Sequence, residues 1–427
     1  MKLILSCTLI TLLNTGLLGC PLVLTGPDKP VTIHLDTVDF TRAWASPCWG
    51  YNAPKIVRNS EGEMWAVDWG GKYGGHEHAW ILKRTSDGRW LKGVGFDSLY
   101  QPSMIFMDEE GRLNYIQNSQ TRPIRHYRSA DRENLKNFTL VATGNGIPDG
   151  RGWYVGAAVH GKTMYLAYVT LTYDLYCTWK SILDTEWHPA VLIERGAVDS
   201  ALGNHAWLYP RFLFFGDRGY IVASSTVDGS KQNTYDKVCM ASFPLSTPEK
   251  FTKEVIYDGA VGYYSYCYDA LITSDSMIVC GFNAGRYKYG DKRADILPAG
   301  LYVATRKIGT TGWSVHRVDE GDGGLALHDG PDGELFALAT RGSWDKDNFS
   351  VLKESKDHGT TWSVITDNVM AEHPEIHHQF FAQDLRPTSG STLERNTMYV
   401  LLTNHASTTQ VDGLYDFTLL LLSITYH

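Results

Sequence analysis

Residues 52–69, Asn52-Ala53-Pro54-Lys55-Ile56-Val57-Arg58-Asn59-Ser60-Glu61-Gly62-Glu63-Met64-Trp65-Ala66-Val67-Asp68-Trp69, read as two β-strands joined by a polar turn. The β-branched pair Ile56 and Val57 favours extended backbone. Asn59-Ser60-Glu61-Gly62 then interrupts it with turn-forming side chains and a glycine for which positive φ costs little. The run 64–69 is apolar and aromatic again, as a second strand requires. The same design recurs at 102–116 around Asp108-Glu109-Glu110-Gly111, at 155–169 around His160-Gly161, and at 212–224 around Asp217-Arg218-Gly219. It returns at 270–280 around Ser274-Asp275, at 325–338 around residues 330–333, and at 380–402 around a longer turn. The second strands open at Met64, Leu113, Met164, Ile221, Ile278, Leu335 and Met398, in steps of 49, 51, 57, 57, 57 and 63 residues. Spacing of this kind marks an internal repeat of seven units.

Further strands follow each hairpin, at 79–85 and 90–94 in the first unit and at 238–243 and 254–257 in the fourth. Four short strands repeated in this way predict an all-β, seven-bladed β-propeller. The last unit is a strand short, since only 417–425 follows its hairpin, while 31–38 is a spare strand near the other end. Pairing of these N- and C-terminal strands closes the predicted ring and removes open edges. Composition agrees: 12% aromatic residues, with 13 Trp and 24 Tyr, suit many short strands, and 41 Gly supply turns. Residues 21–427 show no low-complexity linker or charge block at which to divide them, so they are read as a single propeller domain.

Residues 1–20 read as a targeting segment. Met1-Lys2 gives a positive start, residues 3–13 are apolar but too short to span a membrane comfortably, and Leu17-Leu18-Gly19-Cys20 follows. This resembles a bacterial lipoprotein signal, which implies lipidation at Cys20; an ordinary secretory signal cut nearby is the other reading. Both make the protein exported, either as an outer-membrane or cell-surface lipoprotein or secreted. The expected contact with a membrane is through a lipid anchor only, and the expected state is a monomer. A formal net charge of −8 argues against a nucleic-acid partner but leaves room for a local basic pocket. Beyond Cys7 and Cys20, five cysteines remain, an odd number without C-x-x-C spacing, so neither a disulfide framework nor a zinc motif is legible. Cys267 and Cys280 fall on the two strands of one predicted hairpin, and both a disulfide and two buried thiols are open for them. Gly74-Gly75-His76-Glu77-His78 is a weak metal signal without a third ligand, and the sequence identifies no cofactor.

Ser355-Lys356-Asp357-His358-Gly359-Thr360-Thr361-Trp362 matches S-x-D-x-G-x-T-W, and Ser86-Asp87-Gly88-Arg89-Trp90 is a degenerate copy. The pattern resembles the Asp box (BNR repeat) of sialidase-like β-propellers, whose implied role is to brace a turn. Tyr51-Asn52-Ala53-Pro54 stands where sialidases carry Tyr-Arg-Ile-Pro, which puts Asn52 at the position of a carboxylate-binding arginine. Seven units in this order resemble the seven-bladed propeller polysaccharide lyases of the ulvan lyase and rhamnosyl-glucuronate lyase type. Those lyases carry a His at the start of the second inner strand and a Tyr at the start of the third. Here the matching positions are Tyr100-Gln101 and Trp153-Tyr154, so the resemblance implies Tyr154 for the Tyr, with Tyr100 at the His position.

Propeller geometry gathers the starts of the inner strands and the loops between second and third strands on one face. That face collects Tyr100, Gln101, Tyr154, His205, Tyr209, Arg211, Tyr268, Asp269 and His378, with His78, Arg286 and Arg341 from the loops. A mixture of His, Tyr and Arg suits an acidic sugar. Arg211, Arg286 or Arg341 is placed to bind a uronate carboxylate bidentately. Tyr154, His78 and His205 are the catalytic candidates, as acid or base in a β-elimination. Hydrolysis needs two carboxylates across the bond, and the face offers Asp269, Asp68 and Glu77. Tyr100, Gln101, Tyr209, Tyr268, Asp269 and His378 complete the substrate-binding set. The substrate class expected is a polysaccharide or oligosaccharide. Three functions stay open: a polysaccharide lyase, an exo-glycosidase of sialidase-like or rhamnosidase-like type, and a glycan-binding propeller without catalysis.

Overall fold

The computed structural model describes residues 22–24, 31–48, 52–72, 76–99, 104–118, 123–132, 135–144, 154–199, 203–226, 235–259, 262–287, 295–321, 323–343, 346–373, 378–382, 386–405 and 410–427. Within them the chain is all β, apart from a single 3-10 turn at Pro387–Ser389.

The opening hairpin forms as its sequence dictates. Ile56–Arg58 pairs antiparallel with Met64–Lys72, and Asn59 holds the turn by accepting hydrogen bonds from the backbone N–H of Glu61 and Glu63, while Gly62 takes φ +85°. Met64–Lys72 continues into His76–Arg84 and Trp90–Leu99, each antiparallel to the one before. The same four-strand meander follows in Met104–Met107, Leu113–Gln117, Arg125–Ser129 and Phe138–Thr143. It recurs in Val155–His160, Thr163–Val169, Leu175–Ser181 and Val191–Glu194. Gly203–Phe215, Arg218–Thr226, Lys237–Pro244 and Thr252–Asp258 form the next sheet, to which Ala197–Asp199 adds an edge. Two more sheets run from Cys267–Ile272 to Ser314–Asp319 and from Leu325–Asp329 to Ser363–Thr366.

At the ends of the chain, His378–Ala382 pairs with Thr397–His405, which pairs with Tyr415–Tyr426. Tyr415–Tyr426 in turn pairs antiparallel with Val31–Ala43, from Val31 opposite Tyr426 to Ala43 opposite Tyr415. Residues close to 400 positions apart thus share one sheet, to which Leu22–Leu24 adds a strand beside Val31–Ala43. A parallel bridge from Ala43 to Gly71 joins it to the sheet of the opening hairpin.

Packing explains why the second strands are apolar on both faces rather than alternating. In Thr163–Val169, the side chains of Met164, Leu166 and Tyr168 pack with Met104, Phe106 and Ile116 of the preceding sheet. Tyr165, Ala167 and Val169, on the opposite face, pack with Phe212, Ile221 and Ala223 of the following one. Strand side chains alternate between faces, so a strand sandwiched between two sheets must be hydrophobic at every position. The opening hairpin shows the same arrangement: Trp65, Val67 and Trp69 meet Ile105 and Tyr115 of the next sheet, while Met64 and Ala66 meet Leu401, Leu419 and Leu421 near the C-terminus. Each buried Leu, Ile, Val, Phe or Met side chain contributes about 1.5–3 kcal/mol by leaving water.

The turn 355–361 lies between the third and fourth strands of its sheet. Ser355 Oγ donates to Asp357 Oδ1 at 2.8 Å, and Thr361 donates from both N and Oγ1 to the same carboxylate at 2.8 and 2.6 Å. Trp362 Nε1 closes the turn on the Gly359 carbonyl at 3.0 Å. These donors hold the Asp357 carboxyl at about 2, below the usual range. Cys48, Cys177, Cys239, Cys267 and Cys280 are all buried free thiols. Cys267 stands opposite Phe282 and Cys280 opposite Ala270, so the register does not face the two sulfurs and the disulfide reading is set aside. Cys20 and the rest of residues 1–20 lie outside the described residues.

Candidate functional site

The strand starts bring tyrosines together. Tyr154 precedes Val155–His160, and its ring centroid lies 4.4 Å from that of Tyr209. Tyr209 packs 5.0 Å from Tyr266 and 6.0 Å from Tyr235, which is 4.6 Å from Tyr266 in an edge-on contact. Tyr268 continues the series, 5.3 Å from Tyr266. Three consecutive sheets contribute to this cluster. Beside it, Tyr263–Tyr264 pairs with Arg286–Tyr287 as a short ribbon, and the exposed Arg286 guanidinium lies 5.7 Å from the centre of the Tyr264 ring. That separation is within cation–π range.

Backbone geometry at Tyr209 is unusual. Its φ is +56°, in the left-handed region that a bulky side chain rarely adopts, and the strand slips register between Leu208 and Arg211. Strain of this kind costs about 1–3 kcal/mol and persists only where neighbours enforce it. Burial pushes the phenols of Tyr235 and Tyr266 well above their ordinary range, with a hydrogen bond to Tyr209 opposing the shift at Tyr235. Both therefore stay neutral in water of any ordinary pH. Tyr154, Tyr266 and Tyr268 are only partly buried and form the open edge of the cluster, whereas Tyr209 and Tyr235 are buried.

Arg211 and Asp269 are not on that open edge. Arg211 Nη1 donates to Asp269 Oδ1 at 2.6 Å and Nη2 to the Tyr268 carbonyl at 2.9 Å. Asp269 Oδ2 accepts from Arg386 Nη2 at 2.7 Å and from the Leu327 amide at 2.8 Å, and the Ala270 amide donates to Oδ1 at 2.8 Å. All three side chains are buried, at 6%, 2% and 7% exposure for Arg211, Asp269 and Arg386. They join the innermost strands of three sheets to the segment following His378–Ala382. The guanidinium expected to bind a substrate carboxylate is here paired with a carboxylate of the protein, an arrangement that braces the fold at Arg211 and Asp269.

Arg341 is also engaged, through a bidentate pair with Asp319 at 2.7 and 2.8 Å. Lys353 reaches the same carboxylate at 2.7 Å, and the two cations bring the Asp319 carboxyl down to about 2 against the effect of its burial. Of the three arginines selected from sequence, Arg286 is the exposed one.

His78 lies on His76–Arg84, opposite Gly70 and Asp97, in a different sheet from the tyrosines. It is half-buried, and burial holds its imidazole below the usual histidine range, with Lys92 adding to the effect and Asp97 opposing it. His205 pairs through its backbone with Ala197, four residues before Tyr209 on the same strand, and His378 pairs with Asn404. The side chains of His205 and His378 lie outside the described set, as do Tyr100 and Gln101 altogether. The two other carboxylates offered for hydrolysis are inside the protein. Glu77 is buried and accepts a hydrogen bond from Trp44 Nε1 at 3.2 Å. Asp68 is fully buried, and desolvation, reinforced by Asp39, lifts its carboxyl to about 7. Among the described residues no group of three His, Cys, Asp or Glu side chains is arranged to hold a metal ion.

Sequence reasoning missed Tyr235, Tyr264, Tyr266 and Arg386. The signal for Tyr264 and Tyr266 was present in Tyr263-Tyr264-Ser265-Tyr266-Cys267-Tyr268, where phenols crowd a strand start; Tyr235 had no such neighbours. Arg386 gave no such signal, because a lone arginine after a strand reads as solvated.

No protein-family model matches the chain, and no curated protein does. Among solved structures the chain is similar to a polysaccharide lyase PL25, an ulvan lyase, with a TM-score of 0.64 and 12% identity over 89% of this chain and 94% of that one. A PL25 ulvan lyase bound to -[GlcA(1-4)Rha3S]- gives 0.60 and 13% over 86% of this chain and 94% of that one. A GH93 alpha-L-arabinofuranosidase of Fusarium graminearum gives 0.46 and 9%, over 75% and 91%. At this identity the likeness to the ulvan lyase structures is one of fold: the chain has a propeller-type, all-β architecture.

Proposed function

We propose that the chain is an exported, seven-bladed propeller, closed by its N- and C-terminal strands, that cleaves an acidic, uronate-containing polysaccharide by β-elimination. The pairing of Val31–Ala43 with Tyr415–Tyr426, and the packing of Met64 and Ala66 against Leu401 and Leu421, support the ring. The fold shared with PL25 ulvan lyase structures, one of them bound to -[GlcA(1-4)Rha3S]-, is consistent with a uronate-containing glycan as substrate. Export and lipidation at Cys20 rest on residues 1–20 and are tested by the mass of the mature N-terminus.

The observation that carries the chemistry is the tyrosine cluster with Arg286 at its side, set against the fate of the carboxylates. Asp269, Glu77 and Asp68, the three offered for hydrolysis, are buried in the protein. Phenols and a cation remain at the open edge, and these suit elimination better than hydrolysis. Arg286 takes the uronate carboxylate, which stabilises negative charge as the proton on the adjoining carbon leaves. Tyr154, partly exposed, transfers a proton at that carbon or at the leaving oxygen. His205, on the strand that leads into Tyr209, is the histidine assigned to work with it. Electrons from the broken C–H bond form a ring double bond, the C–O bond to the departing sugar breaks, and its oxygen takes up a proton. Tyr264 and Tyr268 give flat apolar faces against which sugar rings stack.

Incubation of the purified protein with a panel of uronate polymers tests this. Ultraviolet absorbance from an unsaturated product is the expected result. New reducing ends without that absorbance identify a hydrolase, and binding with neither identifies a glycan-binding propeller.

A further inference from the structure

We propose that Asn52 is a positioning residue for the Tyr154–Tyr209 pair, an inference that rests on the reading of Tyr154 as a proton-transfer group. Asn52 stands before the innermost strand of the opening hairpin, yet its side chain bonds two other sheets. Its amide nitrogen donates to the Val155 carbonyl at 3.1 Å and to the Pro210 carbonyl at 3.0 Å. Val155 directly follows Tyr154, and Pro210 directly follows Tyr209. One NH2 group thus holds the peptide units one residue beyond Tyr154 and one residue beyond Tyr209, whose rings lie 4.4 Å apart.

Several facts make this an oriented contact. Asn52 is 6% exposed, so the bonds are shielded from competing water. Both partners are carbonyl oxygens, which accept only, and therefore the nitrogen and not the oxygen of the amide must face them. An NH2 group has two hydrogens, and each has one acceptor. The two carbonyl-bearing strands are themselves in close backbone contact here: a Cβ on Gly156 would collide with the Pro210 carbonyl oxygen. Tyr209 holds φ +56° immediately before Pro210, where a fixed carbonyl keeps the left-handed turn from relaxing. Aspartate at position 52 would present oxygen to oxygen, serine would offer one hydrogen for two acceptors, and alanine none.

The test uses the full-length mature protein with ring-13C-labelled tyrosine, its resonances assigned through Tyr154→Phe and Tyr209→Phe. In Asn52→Ala the Tyr154 and Tyr209 resonances are expected to move while those of Tyr115 and Tyr302, in other sheets, stay in place. On a uronate polymer kcat is expected to fall tenfold or more, in line with the roughly 10²-fold cost of a ~1 Å misplacement, with KM changed less than about twofold. Asn52→Ser, which keeps one donor, is expected to lie between, and it replaces the alanine variant if that variant does not fold. Unmoved Tyr154 and Tyr209 resonances in either folded variant overturn the proposal, as does a lowered melting temperature with kcat intact. Should the wild-type protein turn over no uronate polymer, the functional reading falls, and the resonances still decide the role of Asn52.

Discussion

Asp269→Ala is expected to be among the most damaging single substitutions in the protein, and the reason can be worked from its surroundings. The wild-type carboxylate satisfies two guanidinium groups and two backbone amides, with donor distances between 2.6 and 2.8 Å. Removing it leaves Arg211 and Arg386 as buried cations without their shared anion and leaves the Leu327 amide unsatisfied. Loss of one member of a buried ion pair costs about 3–5 kcal/mol, and an orphaned buried amide about 1–3 kcal/mol more. Since these losses overlap, about 4–6 kcal/mol is expected in total. With an unfolding entropy of ~2.1 cal/mol/K per residue over ~400 residues, that corresponds to a fall of about 5–7 °C in Tm. Urea unfolding at pH 7, followed by tryptophan fluorescence and far-ultraviolet circular dichroism, measures it. Removing the stranded charges as well, in Asp269→Ala with Arg211→Met and Arg386→Met, is expected to recover part of the loss. A cost below about 1 kcal/mol for Asp269→Ala, or a triple variant weaker than the single one, would refute the assignment of these residues to structure. Arg211→Ala with unchanged stability and lost turnover would return Arg211 to the substrate.

Asp68 carries its pKa in the opposite sense to a salt-bridged carboxylate. The folded state holds its proton up to about pH 7, against 3.8 for an ordinary aspartate, so stability falls as pH rises between about 4 and 7 and is level above that. Three units at 1.36 kcal/mol each give an upper bound of about 4 kcal/mol; Asp68→Asn is expected to remove that slope and to unfold at higher urea at pH 8, and curves parallel to wild type would show that Asp68 is not the group responsible. Tyr154→Phe is expected to lower kcat on a uronate polymer by about 10²–10⁴-fold with little change in KM, read from initial rates of ultraviolet absorbance. Arg286→Ala is expected to raise KM and to lower turnover of uronate polymers while leaving the melting temperature within about 1 °C, since exposed substitutions usually cost under 0.5 kcal/mol; equal rates for Arg286→Ala and wild type would remove it from the site.

Much of the architecture is local and so could be read from the chain. Asn59 and Gly62 announce a turn because the asparagine side chain caps the backbone and the glycine tolerates positive φ, and both do so in the structure. A strand with both faces apolar, as in Met164 to Val169, signals a sheet covered on two sides. The site was harder for a physical reason. An arginine at a strand start looks the same in sequence whether its charge faces a substrate or an aspartate 58 residues away, as with Arg211 and Asp269. The longer turn of the last hairpin was visible, but not that the segment entering it carries Arg386 to a carboxylate 117 residues distant. Arg341 is a like case, since its partner Asp319 sits on the neighbouring sheet.

Asn52 shows how such long-range contacts change the meaning of a motif. At this position the sialidase-like pattern would place an arginine that reaches toward a ligand; here an asparagine turns back to the Val155 and Pro210 carbonyls. A buried amide that satisfies two carbonyls adds no charge at this position. Arg211 and Arg341 are both engaged by aspartates, and the proposed function assigns recognition to Arg286 beside Tyr264. The tyrosines divide in the same way. Tyr235 and Tyr266, whose burial keeps their protons on, can shape the pocket and donate hydrogen bonds but cannot act as bases near neutral pH. In the proposed elimination, proton removal from the sugar carbon is therefore assigned to the partly exposed Tyr154 or to a histidine. That restriction makes the pH dependence of turnover in Tyr154→Phe a sharper guide to the base than the shape of the site itself.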